Sequence, residues 1–114
     1  MTRRDEEIAL RHMLDHAREA VEMVSGHVRS DLDDSRMLEL ALVRLVEIVG
    51  EAAGRVREET RVRHTTIAWR QVIGMRNRLI HGYDAVDRDV LWNTVSGDLP
   101  GLIAELERIL GESQ

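Results

Sequence analysis

One short segment combines residue types that exchange protons and bind phosphate. Met75 to Tyr83, with the sequence MRNRLIHGY, contains Arg76, Arg78, His81 and the chain's only tyrosine. A histidine takes and gives a proton near neutral pH, and an arginine is a permanent cation whose planar donors match phosphate. Cleavage of RNA without a metal needs a base for the 2′-OH, an acid for the 5′-oxygen and cations on the phosphate. The segment therefore carries the groups that such a reaction requires.

Helical geometry constrains how these groups can meet. Asn77 and His81 are four residues apart and would share one helix face, which predicts that Asn77 orients the imidazole. A helix C-terminus also favours the charged imidazolium. Arg76 lies five residues before His81, about 140° around an ideal helix. The two meet at one phosphate only if the helix end unwinds or if two chains form the site across a two-fold axis, which would also supply a second histidine.

Each of these residues also has a structural interpretation. A histidine before a glycine, such as His81, is commonly a helix cap, and Arg76 and Arg78 are typical of solvated surface charges. Tyr83 is typical of a ring packed on the bundle with its hydroxyl in water. The spacing alone therefore indicates a candidate site without establishing one.

Other candidate residues favour structural roles. Glu47 and Glu51 are four residues apart on one helix, but Arg44 lies three residues before Glu47 and favours a salt-bridged helix edge. His12 and His16 have metal-ligand spacing, yet no third ligand is evident, so we interpret them as surface residues. We expect the two tryptophans, Trp69 and Trp92, to be anchors in the core or in an interface.

Composition narrows the class of protein. The 114 residues contain no cysteine, which excludes disulfides and thiolate zinc sites. No apolar stretch approaches the length of a membrane span, so a cytoplasmic protein is expected. The net charge is −5, yet residues 55–88 hold eight arginines against four acids. Phosphate, if bound, is expected there.

The apolar period is helical nearly throughout, which predicts one all-α domain over 1–114, an up-down bundle of four or five helices without strands. A first helix over about 5–28 and a second over about 33–62 are expected to pack antiparallel. The second is apolar over most of its circumference between 37 and 53, and Gly50 and Gly54 would permit close backbone approach. These features favour a homodimer in addition to intrachain packing.

The second half of the chain is predicted to hold shorter helices. A third helix spans about 66–81, begun by Thr65 or Thr66 and ended by Gly82. A fourth begins at Asp87. The run from Gly97 to Pro100 is expected to break or kink it, with Asp98 as the N-cap of a last helix.

The segment Arg76 to Tyr83 resembles the signature of the HepT-like toxins of the HEPN superfamily, which is Arg, four residues, His, any residue, Tyr. The resemblance extends over about residues 8–110 and includes the segments 41–53, 67–77 and 86–100. The motif is intact. The proline that usually stands near the start of the third helix is replaced by Thr65 and Thr66, which concerns capping and not chemistry.

The resemblance implies a HEPN-like helical fold, a homodimer with a composite site, and metal-independent endoribonuclease activity that needs no cofactor. It assigns Arg76 and His81 as catalytic and Asn77 as the polar residue after the motif arginine. We predict Asn77 and Arg78 as supporting residues of the site. It further implies a type VII-like toxin–antitoxin pair, in which an MntA-like nucleotidyltransferase uses ATP and Mg²⁺ to attach AMP to Tyr83. The alternative is a non-catalytic dimeric HEPN module that binds a nucleotide or a protein, or serves as a structural subunit of a nucleotidyltransferase complex.

Overall fold

The computed structural model describes residues 3–81 and 85–111, and the side chain of His81 is not among the described parts. The long helices are α1 (Arg3–Val24), α3 (Arg36–Gly54) and α8 (Leu99–Leu110). The shorter helices are α2 (Asp31–Asp34), α4 (Glu58–Arg63), α5 (Trp69–Ile73), α6 (Met75–Leu79) and α7 (Arg88–Asn93). Two strands, β1 (Ile80–His81) and β2 (Ala85–Val86), form an antiparallel pair.

The bundle is built on the pairing of α1 with α3. Glu6, near the start of α1, accepts a 2.7 Å hydrogen bond from Nε of Arg57, just beyond the end of α3, so the two helices run antiparallel as predicted. A stripe of buried apolar residues runs along α3 and continues just past its end, and its members are Leu38, Leu42, Leu45, Val49, Ala52 and Val56. Burial of that stripe against α1 supplies the core, and the fold is an all-α, HEPN-like bundle.

The predicted ends of the first two helices were wrong. α1 stops at Val24, and Gly26 adopts a left-handed φ of +82°, so Val28 lies outside the helix and is 60% exposed. The second helix divides into α2, α3 and α4. α3 begins at Arg36, and its N-cap is Ser35, whose side chain accepts a 3.1 Å hydrogen bond from Leu38 N–H.

The end of α3 is stabilised by contacts that the periodicity does not reveal. Arg61 of α4 donates to the carbonyl oxygens of Ala53 and Gly54, which lie in the last turn of α3. Arg57 is extended at φ −68° and ψ 154°, and its backbone N–H and guanidinium both bind the buried Glu6. These bonds favour a turn at 55–57 over the continuous helix that we predicted.

The third predicted helix is also two pieces. It begins after Ala68, with no side-chain cap from Thr65 or Thr66, and is interrupted at Gly74. It ends at Leu79, where the chain continues as strand β1, so the prediction that the protein lacks strands was wrong for this short hairpin. Leu79 O accepts a 2.7 Å hydrogen bond from Asp87 N–H, which closes the hairpin.

The last helical segments confirm the start at Asp87, whose side chain accepts from Val90 N–H at 3.0 Å. The chain is not broken at Gly97 to Pro100, because a π-helical turn over Thr94–Asp98 connects α7 to α8. Asp98 makes no side-chain capping bond to α8. α7, the π turn and α8 thus follow without a gap and pack against α1 and α3.

Within 3–81 and 85–111, no helix has the length and apolar character that crossing a membrane requires.

Candidate active site

The motif residues lie where α6 passes into β1. Met75 and Leu79 are buried and attach α6 to the core, whereas the three residues after Met75, namely Arg76, Asn77 and Arg78, are exposed. α6 packs against α3, so its exposed side lies next to the polar edge of that helix. The core thus fixes the short helix and leaves the motif side chains at the surface.

Arg76 is held by a carboxylate of α3. Its Nε donates a 2.5 Å hydrogen bond to Oε2 of Glu47, while Oε1 of Glu47 accepts from Arg44 at 2.7 Å. Hydrogen bonds from Arg44 first, and then from Arg76, lower the pKa of Glu47 against the opposing effect of burial. Glu47 therefore stays ionised at neutral pH, and its bond with Arg76 uses Nε of the guanidinium rather than the two terminal nitrogens.

A cavity of about 290 Å³ opens beside this ion pair. Glu47, Glu51 and Gly54 line it from α3, and Arg76 and Asn77 line it from α6. The motif arginine and the following asparagine therefore share one surface depression with acidic residues of α3.

Gly50 allows the close approach between α3 and α5 that positions this cavity. A Cβ added at Gly50 would lie 3.2 Å from Val72 O and 3.3 Å from Ile73 O, whereas one added at Gly54 would meet nothing within 4 Å. Of the two glycines, Gly50 thus serves packing within the chain, and Gly54 faces open space.

His81 lies on a strand and not on a helix. His81 lies two residues after the end of α6 at Leu79, and its backbone pairs with that of Ala85. The expectation that His81 shares a helix face with Asn77 was therefore wrong, and the angle of about 140° from Arg76 does not apply because the helix has unwound before His81. The side chain of His81, and Gly82 and Tyr83 entirely, lie outside the described residues.

Arg78 does not share a cavity with Arg76. It donates a 3.1 Å hydrogen bond from Nη1 to the backbone oxygen of Gln71. It lines a separate cavity of about 420 Å³ that extends to Gly97 and Asp98 at the π turn. The structure therefore brings Arg76 and Asn77 together and directs Arg78 elsewhere.

A second ion pair anchors the chain where it returns from the hairpin. Arg88, the first residue of α7, donates from Nε to Oε1 of Glu39 at 2.5 Å, and Glu39 is buried in α3. Arg88 also bonds Asp33 at 3.3 Å. Hence α3 contacts the chain on both sides of the hairpin. Glu47 binds the motif arginine before it, and Glu39 binds α7 after it.

Sequence reasoning missed both contacts to α3. The Arg76 and Glu47 pair spans 29 residues and the Arg88 and Glu39 pair spans 49. The predicted salt bridge between Arg44 and Glu47 is confirmed, and Glu51 lies 3.6 Å from the same arginine. A local charge pattern indicates the pairs within one helix only, because it holds no information on which helices become neighbours.

The remaining candidates have structural contacts. Nδ1–H of His16 donates to His12 O at 2.7 Å, and in the described residues no group of three His, Asp or Glu is placed to hold a metal. Trp69 is buried, as predicted, and its indole N–H donates to His64 O at 3.0 Å. Trp92 is partly buried against the core.

The fold and this site define an all-α HEPN-like protein with an arginine on the surface of a short helix and a histidine five residues later. The family model described as "Ribonuclease HepT-like" matches residues 13–109, and the chain belongs to that family. No solved structure matched the chain.

Named relatives agree with this membership. "Putative RNase TTE0752" of Caldanaerobacter subterraneus is 34% identical over 101 residues, covering 89% of this chain and 90% of that protein. "Putative RNase MJ1380" of Methanocaldococcus jannaschii is 30% identical, covering 94% and 98%. "Probable ribonuclease HepT" of Thermococcus cleftensis is 34% identical, covering 84% and 91%.

Proposed function

We propose that this protein is a metal-independent endoribonuclease whose reaction depends on Arg76 and His81. The single observation that carries the proposal is the placement of Arg76. Its guanidinium is held at Nε by Glu47 beside an open cavity, and this bond does not occupy the two terminal nitrogens that would bind an anion. Membership of the HepT-like ribonuclease family supports the choice of RNA as the anion.

The proposed reaction is an internal transesterification. A neutral His81 takes the proton of the 2′-OH, the bond from O2′ to phosphorus forms, and the bond from phosphorus to O5′ breaks. A protonated histidine gives the leaving O5′ its proton, and Arg76 stabilises the charge on the phosphorane. The products are a 2′,3′-cyclic phosphate and a 5′-hydroxyl, and no metal is required.

A homodimer would supply the acid and the base from one sequence. Two histidines of opposite protonation state are needed at once, and a two-fold axis near the site would bring His81 of both copies together. The exposed apolar residues of α3 support this assembly, because Met37 is 82% exposed and Leu40 is 50% exposed on the helix that carries Glu47.

We further propose that the activity is that of a toxin, neutralised by an MntA-like nucleotidyltransferase that uses ATP and Mg²⁺ to AMPylate Tyr83. The tyrosine lies two residues after His81 in the sequence. A nucleotide attached there would place negative charge beside the phosphate-binding groups and repel RNA. Tyr83 is thus a regulatory residue, and a phenol with a pKa near ~10 is a poor base at neutral pH.

Cleavage by the purified protein tests the activity. His81→Ala and Arg76→Ala should each reduce RNA cleavage by roughly 100-fold or more while leaving the melting temperature nearly unchanged, and His12→Ala should behave as the wild type. Cleavage should persist in EDTA and leave a cyclic phosphate. A protein that folds, dimerises and leaves RNA intact would instead support the non-catalytic module that binds a nucleotide or a partner protein.

Co-expression with a neighbouring nucleotidyltransferase gene tests the regulation. The wild type should gain AMP-sized mass increments on the peptide that contains Tyr83, and Tyr83→Phe should stay active and escape neutralisation. If Tyr83→Phe is inactive and the wild type stays unmodified, AMPylation is wrong, and the better explanation is that the partner protein blocks the site by binding to it.

A further inference from the structure

A second surface cavity, of about 490 Å³, adjoins the cavity beside Arg76. It lies between α4 and α5, and its walls include Arg61 and Val62 from α4 and Trp69, Arg70 and Ile73 from α5. Ile73 also lines the cavity of Arg76, so the two depressions share a wall residue. A single-stranded RNA that lies across Arg76 and runs towards α4 would next enter this cavity between α4 and α5.

The lining of this cavity carries more positive than negative charge. Arg61 and Arg70 line it together with one acid, Glu58. Within 3–81 and 85–111, neither arginine forms an ion pair, whereas Arg57 and Arg76 each bind a glutamate. Two cations without carboxylate partners, in a chain of net charge −5, indicate a site for an anion.

The two arginines are prepared to different degrees. Arg61 is fixed through one terminal nitrogen on the carbonyl oxygens of Ala53 and Gly54, at 3.3 and 3.2 Å. Its Nε is buried without an acceptor in the described part of the chain. Arg70 is exposed. A phosphate oxygen at the rim would therefore meet one ordered guanidinium and one that can adjust to it.

The apolar part of the cavity suits a base or ribose. Val62 is 61% exposed and Ile73 is 38% exposed. The Trp69 ring is buried and its indole N–H is used by His64 O, so it forms the floor and not a stacking platform. Exposed aliphatic carbon next to guanidinium groups matches a nucleotide, which has an apolar face and an anionic backbone.

We propose that the pocket formed by Arg61, Val62, Arg70 and Ile73 binds a nucleotide of the RNA substrate next to the one that is cut. The inference rests on the proposed ribonuclease function and adds a substrate subsite to it. Arg70 binds the neighbouring phosphate, and Val62 and Ile73 contact the base or sugar. The pocket thereby sets the direction of the RNA strand from Arg76 towards α4.

Binding of a fluorescein-labelled single-stranded RNA, measured by anisotropy, tests the pocket. The His81→Ala background keeps the RNA intact. Adding Arg70→Gln should weaken binding roughly five-fold and reduce the slope of log K against log salt by about 0.7, because one phosphate contact is lost. The matched control is Arg55→Gln, which removes the same charge from an exposed arginine outside the three cavities described. It should change neither quantity.

A second pair of variants adds a charge instead of removing one. Val62→Asp places a carboxylate in the pocket and should weaken RNA binding, again with a change in salt slope. Val28→Asp is the control, because Val28 is equally exposed, at 60% against 61% for Val62, and lines none of the cavities described. Melting curves of all four variants should match that of the parent protein.

The outcomes separate this inference from the proposed function. If the wild type cleaves RNA but Arg70→Gln binds it as Arg55→Gln does, the pocket is wrong and the function stands. If the wild type neither binds nor cleaves RNA, both fail. If Arg70→Gln or Val62→Asp changes the sedimentation coefficient and leaves RNA affinity intact, the surface is a protein contact and the pocket is wrong.

Discussion

Replacing Glu47 by glutamine would test whether α3 positions the motif arginine. The change is nearly isosteric, but it removes the charge that holds Nε of Arg76 at 2.5 Å. The side chains of Glu47 and Arg76 are 24% and 52% exposed, so the pair is partly solvated and worth about 0.2–1 kcal/mol of unfolding free energy. Melting should therefore fall by only a few degrees.

The expected effect on catalysis is larger. An arginine side chain carries about 2 kcal/mol of rotamer entropy, and the bond to Glu47 removes part of it before substrate binds. Returning half to all of that freedom to Arg76 raises the barrier by about 1–2 kcal/mol, a loss of roughly 5- to 30-fold in kcat/KM. Arg76→Ala, which deletes the cation, should cost more, roughly 100- to 1000-fold.

The assay is kcat/KM on a labelled RNA, with Glu51→Gln as the matched control. Glu51 lines the same cavity, and its replacement by glutamine removes the same charge, but Glu51 pairs with Arg44, at 3.6 Å. Glu51→Gln should retain near wild-type activity. Adding Glu47→Gln to Arg76→Ala should cause no further loss, because a positioning residue has nothing left to position.

Three results would refute this reasoning about Glu47. Equal activities of Glu47→Gln and Glu51→Gln would show that the ion pair does not matter for cleavage. A faster Glu47→Gln would show that the carboxylate holds Arg76 away from the phosphate. Additive losses in the double variant would assign Glu47 a role independent of Arg76.

Further predictions concern stability and are checked by urea or thermal denaturation. Gly54→Ala should stabilise α3 by up to about 1 kcal/mol, and Gly50→Ala should be the less stable of the two because its Cβ meets backbone oxygen at 3.2 Å. Ser35→Ala should cost about 1 kcal/mol through loss of the α3 cap. Glu6→Gln should cost about 1–3 kcal/mol at neutral pH. Hydrogen bonds, that from Thr60 first, lower the pKa of Glu6 although burial raises it, so this cost should shrink as pH falls through the folded pKa.

The sequence determined the fold class through periodicity. Apolar residues at alternating spacings of four and three identify the buried faces of α1 and α3. α3 also buries Glu39, which an apolar pattern does not predict. Local capping chemistry also indicated the start of α7, since the Asp87 side chain accepts from an N–H only three residues away and needs no tertiary information. The same information is silent on where a long helix is interrupted.

Helix ends in this protein depend on distant partners. The turn after α3 exists because Glu6, 51 residues away, binds Arg57. The end of α6 at Leu79 depends on Asp87 N–H, which returns to Leu79 O and converts the next residues into a strand. The apolar pattern predicts that the helix continues through these ends, because the residues there are compatible with a helix. Their contacts with distant residues are what end the helix.

The sequence alone also identified Arg76, Asn77 and His81 as a candidate site, because residue type and spacing along the chain define that motif. Only the tertiary structure decided what surrounds it: Glu47 on Arg76, a strand at His81 in place of a helix, and Arg78 in a different cavity. The physical reason is that proton affinity and charge belong to the residue. Orientation, in contrast, is set by packing between segments that lie far apart in the chain.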